Sequence, residues 1–203
     1  MPIQIEKERL LLVEGKDEIE FFNAFFRYLN LDTIQIINVE GKINFRDEIK
    51  LLSIRPDIEM VKKIGAIRDA DENAQAAFDS LKDSFNLVSW EPADTPNIFS
   101  DSNPSIGIFI MPGADQNNGM LEDLCLQSIK DQPDLRCVDD YINCIESLRE
   151  ERLNKLSKRK ILTYLAGQQE LVTALGLAAQ KHIWNFDAPA FNELKTFLLE
   201  LAQ

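Results

Sequence analysis

The chain has 203 residues, of which 45% are apolar and 28% are charged, and its formal net charge is −12. This composition is typical of a folded globular protein and not of a disordered tail. The negative charge argues against a passive coat for nucleic acids, because phosphates would be repelled over most of the surface. A single histidine, His182, argues against histidine zinc sites and Ser-His-Asp catalysis, so any chemistry must use carboxylates, lysines and hydroxyls.

Hydropathy and cysteine usage indicate the compartment. The longest apolar runs, such as residues 106–111, are far shorter than a membrane span. Charged residues appear by position 6 with no apolar signal region before them. Cys125, Cys137 and Cys144 form no CxxC pair and are odd in number, which suggests reduced thiols. We therefore expect a cytoplasmic protein without a membrane segment.

The first 110 residues alternate short apolar runs with helical patterns, which is typical of βαβ units and a mostly parallel sheet. Apolar and β-branched runs predict four strands, at residues 9–13, 33–39, 63–68 and 106–111. Apolar residues at helical spacing predict helices from Asp17, from Phe45 and from Ala74. Residues 91–105 contain three prolines and little apolar periodicity, which predicts a surface loop.

From Gly119 onward the apolar spacing becomes helical, and Asp187 and Pro189 predict the start of the last helix. We therefore predict an α/β fold with a mostly parallel sheet of about four strands and flanking helices, followed by an all-helical C-terminal region. Residues 1–125 would form the α/β domain, and residues 126–203 would form a helical subdomain packed on it.

Acidic residues gather where the first and third predicted strands end. Glu14 ends the first strand and Glu18 follows as a helix begins, while Asp69 and Asp71 follow the third strand. Ligands of parallel α/β sheets bind beyond the carboxyl ends of the strands, so these side chains converge if the two strands are neighbours. Residues two apart on extended backbone point to one side, so Asp69 and Asp71 could share one ion. A hard cation such as Mg²⁺ would relieve the repulsion among the carboxylates.

A structural alternative exists for the same acids. Acids are favoured in the first turn of a helix, and Asp and Asn are good N-caps, so residues 69–73 also fit a helix start that faces water. Three other motifs fit poorly. A calcium loop beginning at Asp69 would need Gly and Glu where Ala74 and Ser80 stand, and neither Glu-Gly-Lys segment completes a phosphate-binding P-loop. A haloacid-dehalogenase-type phosphatase would carry Asp-x-Asp after its first strand rather than its third.

Three segments occur in order along the chain: LLLVEGKDE at 10–18, INVEGKINF at 37–45 and AIRDADEN at 66–73. Together they resemble the Toprim domain of topoisomerases, primases, recombination mediators and OLD-family nucleases. That domain has Glu-Gly after its first strand, a glycine after its second and Asp-x-Asp after its third. The resemblance covers residues 8–125. More narrowly, the chain resembles small stand-alone Toprim-like proteins of unassigned function, which also carry a GMLED-like segment, here at 119–123, and a helical C-terminal half.

The resemblance implies roles for the acids at the strand ends. Glu14 would be the general acid/base or a metal ligand, and Asp69 and Asp71 would be metal ligands. The implied cofactor is Mg²⁺ or Mn²⁺, bound as one ion or two. Glu72 receives no role from the resemblance.

The resemblance also points to acids on two helices. Nuclease-type Toprim sites often place a further acid one helical turn after the first Glu, which here indicates Glu18 as a catalytic group, or Asp17. Another acid can lie beyond the fourth strand, and Glu122 as a metal ligand, or Asp123, stands in that place.

Residues 149–160, REERLNKLSKRK, carry the densest positive charge of this acidic chain. These cations could contact a nucleic-acid backbone, and Lys158 or Lys160 could steady a phosphate in the transition state. The alternative is a solvated helix face, because Glu150 and Glu151 are interspersed among the cations.

The sequence leads to hypotheses from different functional classes. The first is a Mg²⁺- or Mn²⁺-dependent nuclease that acts on DNA or RNA. The second is a binding or regulatory subunit that works only with a partner, such as a separate ATPase, because OLD-family proteins fuse an ATPase to such a domain and this chain has no ATP-binding motif. The third is a degenerate domain whose acids are structural and bind no ion. The oligomeric state is left open.

Overall fold

A computed structural model describes residues 4–113 and 116–203. Its four strands are β1 Arg9–Val13, β2 Ile34–Asn38, β3 Lys63–Asp69 and β4 Ser105–Met111. They form one sheet in the order β2-β1-β3-β4, and every pair is parallel. The predicted α/β fold is therefore confirmed. Because the strands are parallel, their carboxyl ends lie along one edge of the sheet.

Eight α-helices accompany the sheet in the described residues, and they alternate with the strands as far as β4. They are α1 Lys16–Leu29, α2 Phe45–Ser53, α3 Ala74–Asn86, α4 Leu121–Ser128, α5 Pro133–Ser147, α6 Leu156–Ala166, α7 Leu175–Gln180 and α8 Asn192–Leu201. Short 3₁₀ helices lie at Lys42–Asn44, Pro56–Met60 and Pro189–Phe191. After β4 the described chain is helical, as the sequence predicts.

Both faces of the sheet are covered, because successive strand residues point to opposite sides. In β1, Leu11 and Val13 pack with α1 and the C-terminal helices, whereas Leu10 and Leu12 pack with α2 and α3. All four side chains are fully buried. Burial on both faces explains why the strands read as continuous apolar runs rather than as alternating patterns.

The predicted surface loop at 91–105 is joined to β4 by backbone hydrogen bonds of Asn97 and Ser100, and the side chain of Phe99 anchors it in the core. Phe99 is buried and stacks on Phe197 of α8, with the ring centroids 4.8 Å apart. An isolated antiparallel bridge also joins Phe99 to Gly107 of β4. A Cβ at Gly107 would lie 2.6 Å from the Phe99 ring, so the glycine makes room for the aromatic side chain. A single anchor of this kind has no periodicity, which is why the sequence pattern misses it.

The C-terminal helices cover the α1 face of the sheet. Helix α7 lies against α1, α8 lies against β3 and β4, and α6 packs against α4 and α5. Trp184, Phe191 and Phe197 belong to the same hydrophobic core as β1 and α1. The predicted boundary between residues 125 and 126 falls inside α4, and the division into two domains stays a prediction.

None of the helices in the described residues combines the length and the hydropathy needed to cross a membrane. The three cysteines form no disulfide, and Cys125 is buried while Cys137 and Cys144 are exposed. All three thiols are free, as the sequence predicts from their spacing.

Candidate active site

The carboxyl ends of β1 and β3 bring Glu14 and Asp69 together. The two strands are neighbours, with Leu12 opposite Ala66. Glu14 directly follows β1, and Asp69 ends β3. The backbone N–H of Asp69 donates to Glu14 Oε1 at 3.3 Å. The condition that the sequence set for convergence, neighbouring first and third strands, is therefore met by the fold.

Two more carboxylates approach this pair from the first turns of helices. Helix α1 begins shortly after Glu14 and carries Glu18 in its first turn, and α4 carries Glu122 in its own first turn. The N–H of Leu121 donates to Asp69 Oδ1 at 3.0 Å, which holds the start of α4 against the end of β3. A small cavity between these elements is lined by Glu14, Glu18 and Asp69. We call Glu14, Glu18, Asp69 and Glu122 the carboxylate cluster.

The pKa of every carboxyl group in the carboxylate cluster is raised, with burial as the largest cause. The pKa of Asp69 lies well above its usual 3.8, because of burial and then the negative charges of Glu14, Glu122 and Glu18. All four residues are only partly buried, so the desolvation of their carboxyl groups is incomplete. Such a group favours either bound protons or a bound cation.

Asp71 is not on extended backbone, so the predicted geometry of the Asp69–Asp71 pair is wrong. Strand β3 ends at Asp69, and Asp71 has a φ of 51°, in the left-handed region. An antiparallel bridge to Gly119 holds this turn, with both N–H···O distances at 2.9 Å. Asp71 Oδ2 accepts a hydrogen bond from Lys42 Nζ at 2.6 Å. The assignment of Asp71 as a metal ligand stays a prediction, and it would require Lys42 to give way to the ion.

Lys158 and Lys160 contact different neighbours. Lys158 Nζ lies 3.8 Å from Glu122 Oε1, at the edge of the carboxylate cluster. Lys160 Nζ pairs with Asp139 of α5 at 2.7 Å, so Lys160 takes no part in the cluster. Residues two apart on a helix face different directions, which explains why α6 brings only one of the two lysines to the site.

Some of the polar residues near the site stabilise helix starts. The side chain of Asn73 caps α3 by accepting a backbone N–H of the first turn at 2.9 Å. Asp123 accepts a backbone N–H at the start of α4 at 2.9 Å and a hydrogen bond from the Ser157 hydroxyl. Of the two acids in the GMLED segment, Glu122 belongs to the cluster and Asp123 holds the helix. A role at a helix start therefore accounts for Asn73 and Asp123.

Sequence reasoning misses two cations beside the carboxylate cluster. Lys42, in the second Glu-Gly-Lys segment, reaches across to Asp71. Arg68 precedes Asp69 on β3, and its charge works against the rise in the pKa of Glu14 that burial causes. The recurrence of Glu-Gly-Lys at a second strand end is a signal for Lys42. Arg68 has no comparable local signal.

A family model described as "Protein of unknown function (DUF3226)" matches residues 8–203. The chain belongs to this family. The DUF3226 match runs through both the sheet and the C-terminal helices, so it includes the carboxylate cluster and Lys158. No curated protein and no solved structure matches the chain. These comparisons assign no activity to this DUF3226 protein.

In this DUF3226 protein the carboxylate cluster is not a preformed metal cage. Within residues 4–113 and 116–203, no three Asp, Glu, His or Cys side chains are arranged to hold an ion. The two acids left without a role, Asp17 and Glu72, are exposed. The donor chemistry still suits a hard cation, because all four members offer carboxylate oxygens, with Lys158 only at their edge. Ion binding would require these side chains to turn toward one another.

Proposed function

We propose that the protein is a Mg²⁺- or Mn²⁺-dependent nuclease that hydrolyses phosphodiesters at the carboxylate cluster. The observation that carries this proposal is the meeting of Glu14 and Asp69, 3.3 Å apart from backbone nitrogen to carboxylate oxygen, beside Glu18 and Glu122. They lie at the edge of a parallel sheet where ligands bind. The ordered resemblance to the Toprim domain supports the same reaction class.

The residues of the site divide into three tasks. Asp69, Glu122 and Glu18 would hold the ion through carboxylate oxygens, the ligands that Mg²⁺ prefers. A bound ion would supply Lewis acidity toward the phosphate. Glu14 accepts the proton of the attacking water, since its raised pKa suits proton exchange nearer to neutral pH. Lys158 offsets negative charge that develops on the phosphate.

The contact between Asp71 and Lys42 makes ion binding by Asp71 depend on the position of Lys42. Their side chains are paired at 2.6 Å, so Asp71 becomes available to an ion only when Lys42 leaves it. Lys42 would then be free to face the phosphate. Asp71 is therefore a ligand of the loaded site rather than of the resting one.

The test of the proposal is Glu14→Gln. Gln keeps the length of the side chain and an oxygen for the Asp69 N–H, but it cannot accept a proton from water. We expect divalent-ion-dependent cleavage of plasmid and labelled oligonucleotides to be at least about 100-fold slower. The matched control is Glu72→Gln, which removes the same charge at the neighbouring turn and should cleave like the wild type. Equal rates for wild type and Glu14→Gln would remove Glu14 from the reaction, and a wild type without ion-dependent cleavage would count against a nuclease.

Lys158→Gln separates charge stabilisation from ion binding. Lys158 contacts Glu122 at 3.8 Å, whereas Lys160 pairs with Asp139, so Lys160→Gln is a control with the same charge change on the same helix. We expect Lys158→Gln to cut the cleavage rate by about 10- to 100-fold while Mn²⁺ still raises the melting temperature. Parallel losses in both lysine variants would show a general electrostatic effect instead.

The lack of a preformed cage among the described residues favours a second candidate function. In this alternative the protein is a subunit whose site closes only on a protein partner, such as a separate ATPase. The experiment asks whether a neighbouring gene encodes an ATPase that copurifies with the chain, and compares cleavage by the isolated chain with cleavage by that complex. Ion-dependent activity in the complex alone would favour this candidate over the stand-alone nuclease.

A further inference from the structure

A groove of about 970 Å³ lies between α2, α3 and the end of β3, on the face of the sheet opposite α1. Three cations line it: Lys42, Arg46 and Arg68. This is a local excess of positive charge on a protein whose net charge is −12. Asp79 and Asp83 also line it, so the cations outnumber the acids by one, and an excess of one sign of charge raises the local concentration of oppositely charged ligands. The groove is therefore a candidate site for an anion.

Two of the three cations form no ion pair within the described residues. Across residues 4–113 and 116–203, Arg46 and Arg68 make no hydrogen bond and no ion pair through their guanidinium groups, and the buried Nε of Arg68 has no acceptor. A buried donor without an acceptor is costly, and arginine matches the oxygens of a phosphate in a bidentate manner. The groove thus offers donors that a phosphate could satisfy.

One residue, Arg68, connects the groove with the carboxylate cluster. Arg68 lines both the groove and the small cavity that contains Glu14 and Asp69. Lys42, at the same end of the groove, is bonded to Asp71. A phosphate bound at Arg68 would therefore lie near the carboxylates.

Apolar side chains stand among the cations. Ile43 and Leu87 line the groove and are 83% and 52% exposed. In a duplex the bases are stacked and paired, whereas in a single strand their faces can contact side chains. The combination of cations with exposed apolar residues favours an unpaired strand over a duplex.

We propose that this groove binds the phosphodiester backbone of a single-stranded nucleic acid next to the bond that is cleaved. The proposal rests on the proposed function, because it supplies the substrate track for the carboxylate cluster. Arg46 and Arg68 contact phosphates, and Ile43 and Leu87 contact sugars or bases. The shared chemistry is the phosphodiester backbone, which both DNA and RNA provide.

The opposite wall of the groove makes the proposal easy to test. Asp79 and Asp83 of α3 line it, and Asp79 accepts a hydrogen bond from Gln75 at 2.9 Å. These carboxylates repel phosphates, so they weaken binding if a strand lies in the groove. Removal of an acid and removal of a cation should therefore change the affinity in opposite directions.

The experiment measures anisotropy of a fluorescein-labelled single-stranded oligonucleotide in EDTA at low salt. Arg46→Gln is expected to weaken binding about tenfold and to reduce the slope of log Kd against log salt by about 0.7. Lys50→Gln is the matched control, because Lys50 is exposed on the same helix and does not line the groove. Asp83→Asn should strengthen binding by a few-fold.

The affinities for the same oligonucleotide as single-stranded DNA, as single-stranded RNA and as a duplex show which form the groove prefers. Tighter binding of the duplex would contradict the single-strand proposal. Equal affinities for wild type, Arg46→Gln and Asp83→Asn would contradict the proposal that the strand binds in the groove. Absence of binding by the wild type would contradict it as well. Binding in EDTA is independent of cleavage. If the groove variants change binding but the protein never cleaves, the nuclease proposal is rejected and the binding groove is retained. If the protein cleaves but the groove variants bind like the wild type, the binding groove is rejected and the nuclease proposal is retained.

Discussion

Asp69→Asn is expected to make the metal-free protein more stable and the enzyme inactive. Asn keeps Oδ1, which accepts the Leu121 N–H at 3.0 Å. It removes one negative charge from beside Glu14, Glu122 and Glu18, which all raise the pKa of Asp69. We expect the free energy of unfolding without divalent ions to increase by about 1 to 3 kcal/mol at about pH 8. We expect cleavage to fall by at least about 1000-fold, because an ion ligand is lost.

The sign of this effect follows from the direction of the pKa shift. Burial, and then the neighbouring charges, raise the pKa of Asp69 in the folded protein well above its usual 3.8. At pH values between the ordinary and the raised pKa, the folded state therefore holds a proton that the unfolded state has released. Stability from protonated Asp69 is complete below about pH 4 and is lost as the pH rises through the raised pKa. The advantage of Asn should be small at about pH 4 and larger at about pH 8.

Denaturant unfolding at both pH values, with and without Mn²⁺, checks the prediction. The wild type should gain about 2.7 kcal/mol when the ion is present at about 100 times its Kd. Asp69→Asn should gain nothing, and Glu72→Gln should follow the wild type. An Asn variant that is destabilised at both pH values, or that Mn²⁺ stabilises as much as the wild type, would contradict the assignment of Asp69 to a cation site.

The alternation of strands and helices was predictable from sequence because each strand is a short apolar run with a polar turn at its carboxyl end. That alternation also placed Glu14 and Asp69 at one edge of the sheet, since parallel strands share their direction. The order of strands was not contained in the local pattern. It depends on which strands pair, and the pairing of β1 with β3 is what joins the two acids.

The details of the site depend on contacts between distant segments. The local sequence Asp-Ala-Asp predicts extended backbone, but Asp71 lies in a left-handed turn. That turn is held by a bridge to Gly119, which is distant in sequence. The choice between Lys158 and Lys160 depends on how α6 docks against α4, which no local pattern encodes. Arg68 reads as a strand residue, and only the packing of α2 and α3 exposes its guanidinium to a groove.

Gly176→Ala tests whether the C-terminal helices are part of the site. Helix α7 lies against α1, and a Cβ at Gly176 would stand 2.4 Å from Glu20 Cβ and 2.6 Å from the carbonyl oxygen of Asp17. In an exposed helix the same change would stabilise by up to about 1 kcal/mol, because alanine is the better helix former. Here the clash should dominate, and we expect the free energy of unfolding to fall by about 3 kcal/mol.

The effect should also reach the carboxylate cluster, because α1 carries Glu18 in its first turn. A shift of α1 away from α7 moves Glu18 relative to Asp69, so the stabilisation by Mn²⁺ should shrink together with the melting temperature. Gly167→Ala is the control, since the nearest atom to its Cβ, the carbonyl oxygen of Tyr164, is 3.5 Å away. Gly176→Ala could instead match this control in melting temperature and in its response to Mn²⁺. In that case close packing of α7 against α1 does not set the position of Glu18.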